Sequence, residues 1–239
     1  MSASAGSFSA PPQVHVFDGI LSDFDGTIVD STDAIVKHWH QVGEEMGVDP
    51  KVILATSHGR RSIDVLKLYD PSKANWEYVS YIEGRIPQEY GSDAIEIPGA
   101  RDLLSALEDS SVNWGVVTSG TRALVDGWLG VLGLPHPRNL VVAEDVEAGK
   151  PDPRCYLLGR ERLGLDDPSS SSIIVFEDAP SGIRAGKAAG FRVLALATTH
   201  SLAQLRDAGA DWIVQDLRSV SVQRVESGRV HLEIRDALL

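Results

Sequence analysis

The segment Ile20-Leu21-Ser22-Asp23-Phe24-Asp25-Gly26-Thr27 decides how this 239-residue chain is read. Two carboxylates two residues apart follow an apolar run, and glycine follows at once. That order describes a strand ending in a tight turn. Alternate side chains of a strand point to the same face, so two acids at its end can converge on one point. Such a pair can share a cation and divide the roles of nucleophile and proton-transfer group. Gly26 lets the backbone leave the strand at a φ/ψ that a larger residue resists. Asp-Gly is also an ordinary turn, and the chain holds its own control. Phe17-Asp18-Gly19 lacks the second acid and reads as the lead-in to the strand, without chemistry.

Three further stations follow in order. Thr118-Ser119-Gly120 ends the apolar run Gly115-Val116-Val117, Lys150 sits in Gly149-Lys150-Pro151-Asp152-Pro153, and Glu177-Asp178 ends Ile173-Ile174-Val175-Phe176. Each is expected at the C-terminal end of a strand, where open α/β sheets place their ligand crevice. The apolar runs Gly19–Phe24, Trp114–Thr118, Leu140–Ala143, Ile173–Phe176, Arg192–Leu196 and Trp212–Val214 are separated by helical stretches. Such alternation implies βα units and an α/β fold with a mostly parallel sheet.

These four stations resemble, in order, the four motifs of the haloacid dehalogenase-like superfamily of aspartate-nucleophile phosphatases. The resemblance runs from about Val16 to at least Val214. A closer likeness is to the fungal glycerol-3-phosphate phosphatases and 2-deoxyglucose-6-phosphate phosphatases. It is carried by Ser57-His58-Gly59-Arg60-Arg61, Thr118-Ser119-Gly120-Thr121 and Phe176-Glu177-Asp178-Ala179-Pro180. The resemblance implies a Rossmann-like parallel-sheet core with a small helical cap inserted just after the first motif.

The spacing of elements agrees. Between residues 31 and 97 there is no convincing strand, only helical patterning. Ile35, Trp39, Val42 and Met46 fall at helical spacing behind Ser31 or Thr32 as an N-cap. Ile63, Leu66 and Leu68 suggest a second helix, and Trp76 to Ile86 a third or fourth. Pro98-Gly99 marks the return to the core. The expected organisation is a disordered tail over 1–12, a discontinuous core over 13–30 and 98–239, and a cap over 31–97. Val230, Leu232 and Ile234 alternate with polar residues after Ser227-Gly228, which predicts a β-hairpin over about 222–234. Asp166–Ser172 reads as a polar loop. Gly182, Ala185, Gly186 and Ala189 share one helix face and are assigned to close packing alone.

Composition narrows the partners. A formal net charge of −12 argues against nucleic acid or an anionic membrane surface. A phosphorylated small molecule stays compatible, because a local lysine and a metal reverse the sign at a site. The lone cysteine, Cys155, permits no internal disulfide, which fits a reducing, cytoplasmic compartment. The first twelve residues lack the basic start and apolar centre of a signal peptide. No apolar run approaches a membrane-spanning length. A monomer is the default expectation.

The chemistry read from these residues is phosphate-ester hydrolysis. Asp23, the first acid, is the expected nucleophile, forming an aspartyl phosphate. Asp25 is the expected acid and then base for the leaving alcohol and the attacking water. The resemblance implies the same two roles. Mg²⁺ suits a set of hard oxygen donors: carboxylates of Asp23 and Asp178, the backbone carbonyl of Asp25, and Glu177 either directly or through water. Thr118, Ser119, Gly120 and Lys150 are the expected phosphate contacts, with Thr118 and Lys150 counted as catalytic. From the cap, His58, Arg61 and Glu83 are the expected substrate contacts; Arg61 matches the related phosphatases better than Arg60 does. Two other readings are a phosphosugar mutase of the same superfamily and a non-catalytic phosphosugar-binding regulator. The mutases use a histidine twelve residues after the nucleophile, where this chain has Ile35; His38 and His40 miss the register.

Overall fold

The computed structural model describes residues 7–165 and 172–238. In chain order the elements are β1 (Gln13–Phe17), β2 (Gly19–Ser22), β3 (Val29–Asp30), α1 (Thr32–Met46), α2 (Pro50–Ser57), α3 (Ser62–Tyr69), α4 (Trp76–Tyr90), β4 (Ile95–Glu96) and α5 (Ala100–Asp109). They continue with β5 (Trp114–Val117), α6 (Arg122–Leu132), β6 (Leu140–Val141), α7 (Arg154–Arg162), β7 (Ile173–Glu177), α8 (Pro180–Ala188), β8 (Arg192–Leu196), α9 (Leu202–Asp207), β9 (Trp212–Val214), β10 (Val220–Glu226) and β11 (Arg229–Ile234).

All six apolar runs become strands of one parallel sheet, ordered β6-β5-β2-β7-β8-β9. These strands are apolar on both faces, as strands covered by helices on both sides must be. Ile20, Trp114, Val116, Ile174, Phe176 and Leu194 enter one core cluster, while Leu21, Val117, Val141, Val175, Val193 and Ile213 enter another. The alternation follows the two-residue period of a strand. The chain runs outward from β2 through β5 to β6, then crosses back to place β7 on the other side of β2. The C-terminal ends of β5, β2 and β7 therefore flank a topological switch point, where such sheets open a crevice.

The four helices α1 to α4 lie between β3 and β4, which pair antiparallel as a two-stranded ribbon, Val29 with Glu96 and Asp30 with Ile95. The helices have an apolar cluster of their own: Trp39, Val42, Ile53, Ile63, Val65, Leu66, Val79 and Ile82. The strand β4 and the helix α2 were not expected. β4 has only two residues, too short to register as a periodic signal. α2 carried one, since Asp49 caps Lys51 N–H and Pro50 occupies the first turn. Leu68, expected on the buried face of α3, is exposed instead, and Val65 takes its place.

The termini also differ from expectation. β1 leads through Asp18 directly into β2, as expected, but is not itself a strand of the parallel sheet. It pairs with β11 in a separate antiparallel sheet, ordered β1-β11-β10. The expected C-terminal hairpin forms and begins slightly earlier, at Val220. Its turn residues Ser227 and Gly228 both have positive φ, 52° and 76°, as a two-residue hairpin turn of matching twist requires. The tail expected to be disordered through Pro12 is docked from Phe8 onward. Phe8 bridges Leu238, and Ser9 and Ala10 donate to the Ala237 carbonyl. The apolar side chain of Phe8 packs on the second core cluster, which gives this segment a reason to stay in place. Residues 1–6 and most of the polar 166–172 segment lie outside the described residues. Asp18, assigned no chemistry, has a structural role: its carboxylate accepts from Ser172 N–H at 2.6 Å and pairs with Arg229 at 3.0 Å.

Candidate active site

Asp23 follows β2, Thr118 follows β5, and Glu177 and Asp178 lie at the end of β7. Neighbouring parallel strands in register bring these ends together. Lys150 arrives differently. It lies well beyond the end of β6, in the loop that precedes α7, yet its ammonium meets the ends of β2, β5 and β7. Lys150 Nζ donates to Asp23 Oδ1 at 2.5 Å, Glu177 Oε1 at 2.7 Å and the Val117 carbonyl at 3.1 Å. All three ammonium protons are thus committed, and the group is buried. The two carboxylates hold its pKa above the ordinary range even though burial opposes the charge. Burial, with Glu177 and Asp178 close by, pushes Asp23 upward against the pull of Lys150.

Glu177 was expected among the metal donors. Its oxygens are already occupied. Oε1 accepts from Lys150 and from the Tyr156 hydroxyl at 2.8 Å, and Oε2 accepts from the N–H groups of Asp178 and Ala179, both at 3.0 Å. Glu177 is therefore placed to position Lys150 and the loop that carries Asp178. This depends on a glycine. A Cβ on Gly182 would lie 1.6 Å from Glu177 Oε1, so the small residue assigned to helix packing makes room for this carboxylate. Gly186 does pack against the sheet as expected, close to Val193 and Val175.

Asp25 lines the same crevice. Its Oδ1 accepts from the Ser31 hydroxyl at 2.6 Å. Ser31 precedes α1 as expected but makes no side-chain cap bond; its hydroxyl serves Asp25 instead. Burial raises the Asp25 carboxyl to about 6, with the Ser31 hydrogen bond opposing. Thr118 Oγ1 accepts from Gly120 N–H at 2.9 Å. That bond takes one expected phosphate donor, Gly120 N–H, and leaves the Thr118 hydroxyl proton for a ligand. The Ser119 hydroxyl turns away, donating to the Gly59 carbonyl at 3.1 Å.

A cavity of about 80 Å³ joins Asp23, Asp25, Thr118 and Gly120 to the helical insert through Ile35, Trp39, His58, Arg60 and Glu83. A water needs roughly 10–15 Å³ by this measure, so the space holds several waters or a small ligand. The loop that carries His58 is pinned to the core. Gly59 has φ +72°, and a Cβ there would lie 2.7 Å from Ser181 Oγ. Its carbonyl accepts from both Ser119 and Ser181. His58 Nε2 lies 3.4 Å from Asp178 Oδ2. Burial pulls this imidazole down, and the Asp178 contact outweighs it, so the net shift is upward.

Arg61, expected to contact substrate, does not line the cavity. It is buried, and its guanidinium donates to Asp64 at 2.7 and 3.1 Å and to the carbonyls of Ala143, Val146 and Glu147 at 3.3, 2.6 and 2.9 Å. Every donor is engaged in holding α3 to the loop after β6. Arg60, set aside in the sequence reading, is exposed and stands at the cavity wall. Glu83 does reach the cavity. Its Oε1 accepts from the Ser62 hydroxyl at 2.5 Å and its Oε2 from Thr121 N–H at 2.7 Å, so it joins α4 to the N-terminus of α6. Burial raises it to about 7. Ile35 occupies the position of the mutase histidine and lines the cavity. His40 is exposed and His38 is buried against Trp39.

The donors fit a hard divalent cation. Oxygens of Asp23 and Asp178 lie within 4.8 Å of each other, beside Glu177, whose oxygens are taken by Lys150, Tyr156 and two backbone N–H groups, and all three residues are buried. Clustered buried carboxylates repel unless a cation joins them; Lys150 meets part of that need.

The chain also has relatives among known proteins. A structure of a hydrolase from Pseudomonas syringae superposes with a TM-score of 0.72 at 23% identity, covering 83% of this chain and 94% of its own. Glycerol-1-phosphate phosphohydrolase 1 of Saccharomyces cerevisiae is 41% identical over 91% of this chain and 90% of its own length. 2-Deoxyglucose-6-phosphate phosphatase 1 of the same yeast is 35% identical over 92% and 96%. The profile of the haloacid dehalogenase-like hydrolases matches residues 20–196, from the strand before Asp23 to the strand after Asp178, and the chain belongs to that family.

Proposed function

We propose that this chain is a Mg²⁺-dependent phosphatase that hydrolyses a small sugar or polyol phosphate through an aspartyl phosphate on Asp23. The observation that carries the reading is the placement of Asp23 and Asp25 in one small cavity, with Lys150 bonded to the first. Lys150 holds Asp23 Oδ1, which leaves the second oxygen to attack phosphorus in line. The bond from phosphorus to the substrate oxygen breaks, and Asp25 delivers a proton to that leaving oxygen. A carboxyl raised to about 6 still carries a proton in a useful fraction near neutrality. Asp25 then takes a proton from the water that cleaves the aspartyl phosphate. Thr118 binds a phosphate oxygen through its hydroxyl. Asp23, Asp178 and the Asp25 carbonyl would hold Mg²⁺. When bound, the ion neutralises phosphate charge so that an anionic nucleophile can approach.

The helical insert acts as a cap that excludes water from the cavity. His58, Arg60 and Glu83 are the groups it offers to a polyol or sugar. The names of the two yeast relatives support a small phosphate monoester of this kind. Ile35 in place of a histidine disfavours the mutase reading.

The test is phosphate release over a panel of polyol, sugar and aryl phosphates. Activity should be silenced by chelation, restored by Mg²⁺ and abolished by Asp23→Asn. Trapped phosphate on a residue other than Asp23 would overturn the mechanism, and full turnover in excess chelator would remove the ion.

A further inference from the structure

Beside the carboxylate cluster stands a second group of donors of different chemistry. We propose that His58, His200 and Asp178 form a site for a transition divalent cation such as Zn²⁺, which shares Asp178 with the magnesium set and competes with it. One ligand atom from each of the three residues lies within a 4.8 Å cluster. Three elements contribute: His58 ends α2, Asp178 follows β7, and His200 follows β8.

The spacing suits such an ion. Zinc binds imidazole nitrogen and carboxylate oxygen at about 2.0–2.2 Å in a tetrahedron, which sets two donors about 3.4 Å apart. His58 Nε2 and Asp178 Oδ2 are 3.4 Å apart. The His200 ring completes the group, its centroid 5.0 Å from that of His58 and the planes at 76°. A ring nitrogen of His200 lies within 4.8 Å of the donor atoms of the other two residues.

The donors are also held in place. The Gly59 carbonyl, next to His58, takes hydroxyl bonds from Ser119 and Ser181. The Thr199 hydroxyl lies between Asp178 Oδ2, to which it donates, and His200 Nδ1 at 2.9 Å. Metal-binding histidines characteristically rely on such outer contacts for orientation. Asp178 is buried, while the His58 side chain is 36% exposed, which leaves a path for entry. Three protein ligands leave the fourth zinc position open to water or to a ligand oxygen.

Donor type sets the selectivity. Imidazole favours Zn²⁺, Ni²⁺, Cu²⁺ and Co²⁺, whereas Mg²⁺ prefers carboxylate, carbonyl and water. The ion in this site would therefore differ from the one at Asp23. It would also withdraw Asp178 from the magnesium set, so occupancy of one site weakens the other.

The experiment is a titration of the metal-free, untagged full-length protein with Co²⁺, read by its visible absorption, with and without excess Mg²⁺. The expected result is one equivalent of Co²⁺ with nitrogen-donor bands, displaced by Zn²⁺, and a weaker apparent affinity as Mg²⁺ rises. His58→Ala and His200→Ala, checked for fold by circular dichroism, should each weaken Co²⁺ binding at least about tenfold. Equal Co²⁺ affinity in the wild type and both variants would place the ion elsewhere and overturn the proposal. Independence from Mg²⁺ would overturn the sharing of Asp178. Because the readout is absorbance, it stands or falls separately from phosphatase activity.

Discussion

Lys150 Nζ lies 2.5 Å from Asp23 Oδ1 although 127 positions separate the two residues. The ammonium is simultaneously bonded to Glu177, so one cation bridges two buried acids and offsets their repulsion. Lys150→Met is expected to cost about 3–5 kcal/mol of stability, because it leaves buried charge unpaired. Phosphatase turnover should be lost as well. Urea denaturation measures the first effect. A variant as stable as wild type would show that Lys150 acts only on a bound ligand.

Gly182 gives a sharper test of the Glu177 geometry. Alanine normally stabilises a helix by about 0.5–1 kcal/mol relative to glycine. Gly130 in α6, where an added Cβ meets nothing within 4 Å, should follow that rule. Gly182→Ala should do the reverse, costing about 1–3 kcal/mol through overpacking, and should lower activity by displacing Glu177. Thermal melts of the two variants side by side decide it; a stabilised, fully active Gly182→Ala would contradict the contact.

Arg61 is bound to Asp64 and three carbonyls rather than aimed into the cavity. Arg61→Ala is therefore expected to cost at least about 2 kcal/mol, since it leaves buried acceptors without a charged donor. Its kcat/KM should fall by a similar factor on a polyol phosphate and on an aryl phosphate. A loss confined to the polyol phosphate would restore Arg61 to the substrate contacts. Arg60→Ala should show the opposite pattern, with stability retained and the polyol phosphate affected more.

Glu83 links pH to stability. Burial raises its carboxyl from 4.5 to about 7. Between those values the folded state holds a proton that the unfolded chain has lost. Its stabilising contribution is thus complete below about 4.5 and declines as pH rises through 7. At about 1.4 kcal/mol per unit, the decline amounts to at most about 3.5 kcal/mol. Glu83→Gln can keep both bonds, accepting from Thr121 N–H and donating to Ser62, and should flatten the dependence. Stability curves from pH 5 to 8.5 test this; parallel curves for the two proteins would rule Glu83 out as the source.

Much of the fold was legible in the chain. Strands buried on both faces of a parallel sheet are continuous apolar runs, and all six were visible as such. The polar groups at their ends were visible too, because a strand terminus is a local feature and Asp23, Thr118 and Glu177-Asp178 each follow directly from a run. Ser227-Gly228 announced its hairpin through turn chemistry alone. Local pattern also misled. Ser31 has the residue type of a helix cap, but its hydroxyl bonds Asp25. Gly182 has the spacing of a packing glycine, but its missing Cβ accommodates Glu177.

Between adjacent arginines, sequence could offer only likeness to relatives, and it favoured Arg61. Which guanidinium faces the cavity depends on where the Ala143, Val146 and Glu147 carbonyls lie, more than eighty positions away. The same holds for His200, whose meeting with His58 joins the insert to the loop after β8. The sequence by itself determined the sheet, its order of chemistry-bearing ends and the identity of the carboxylate pair, since periodicity and strand termini are short-range properties of the chain. Only the tertiary structure decided which polar side chains are spent on each other and which remain for a ligand, because a hydrogen bond or ion pair depends on distance in space and has no period along the sequence.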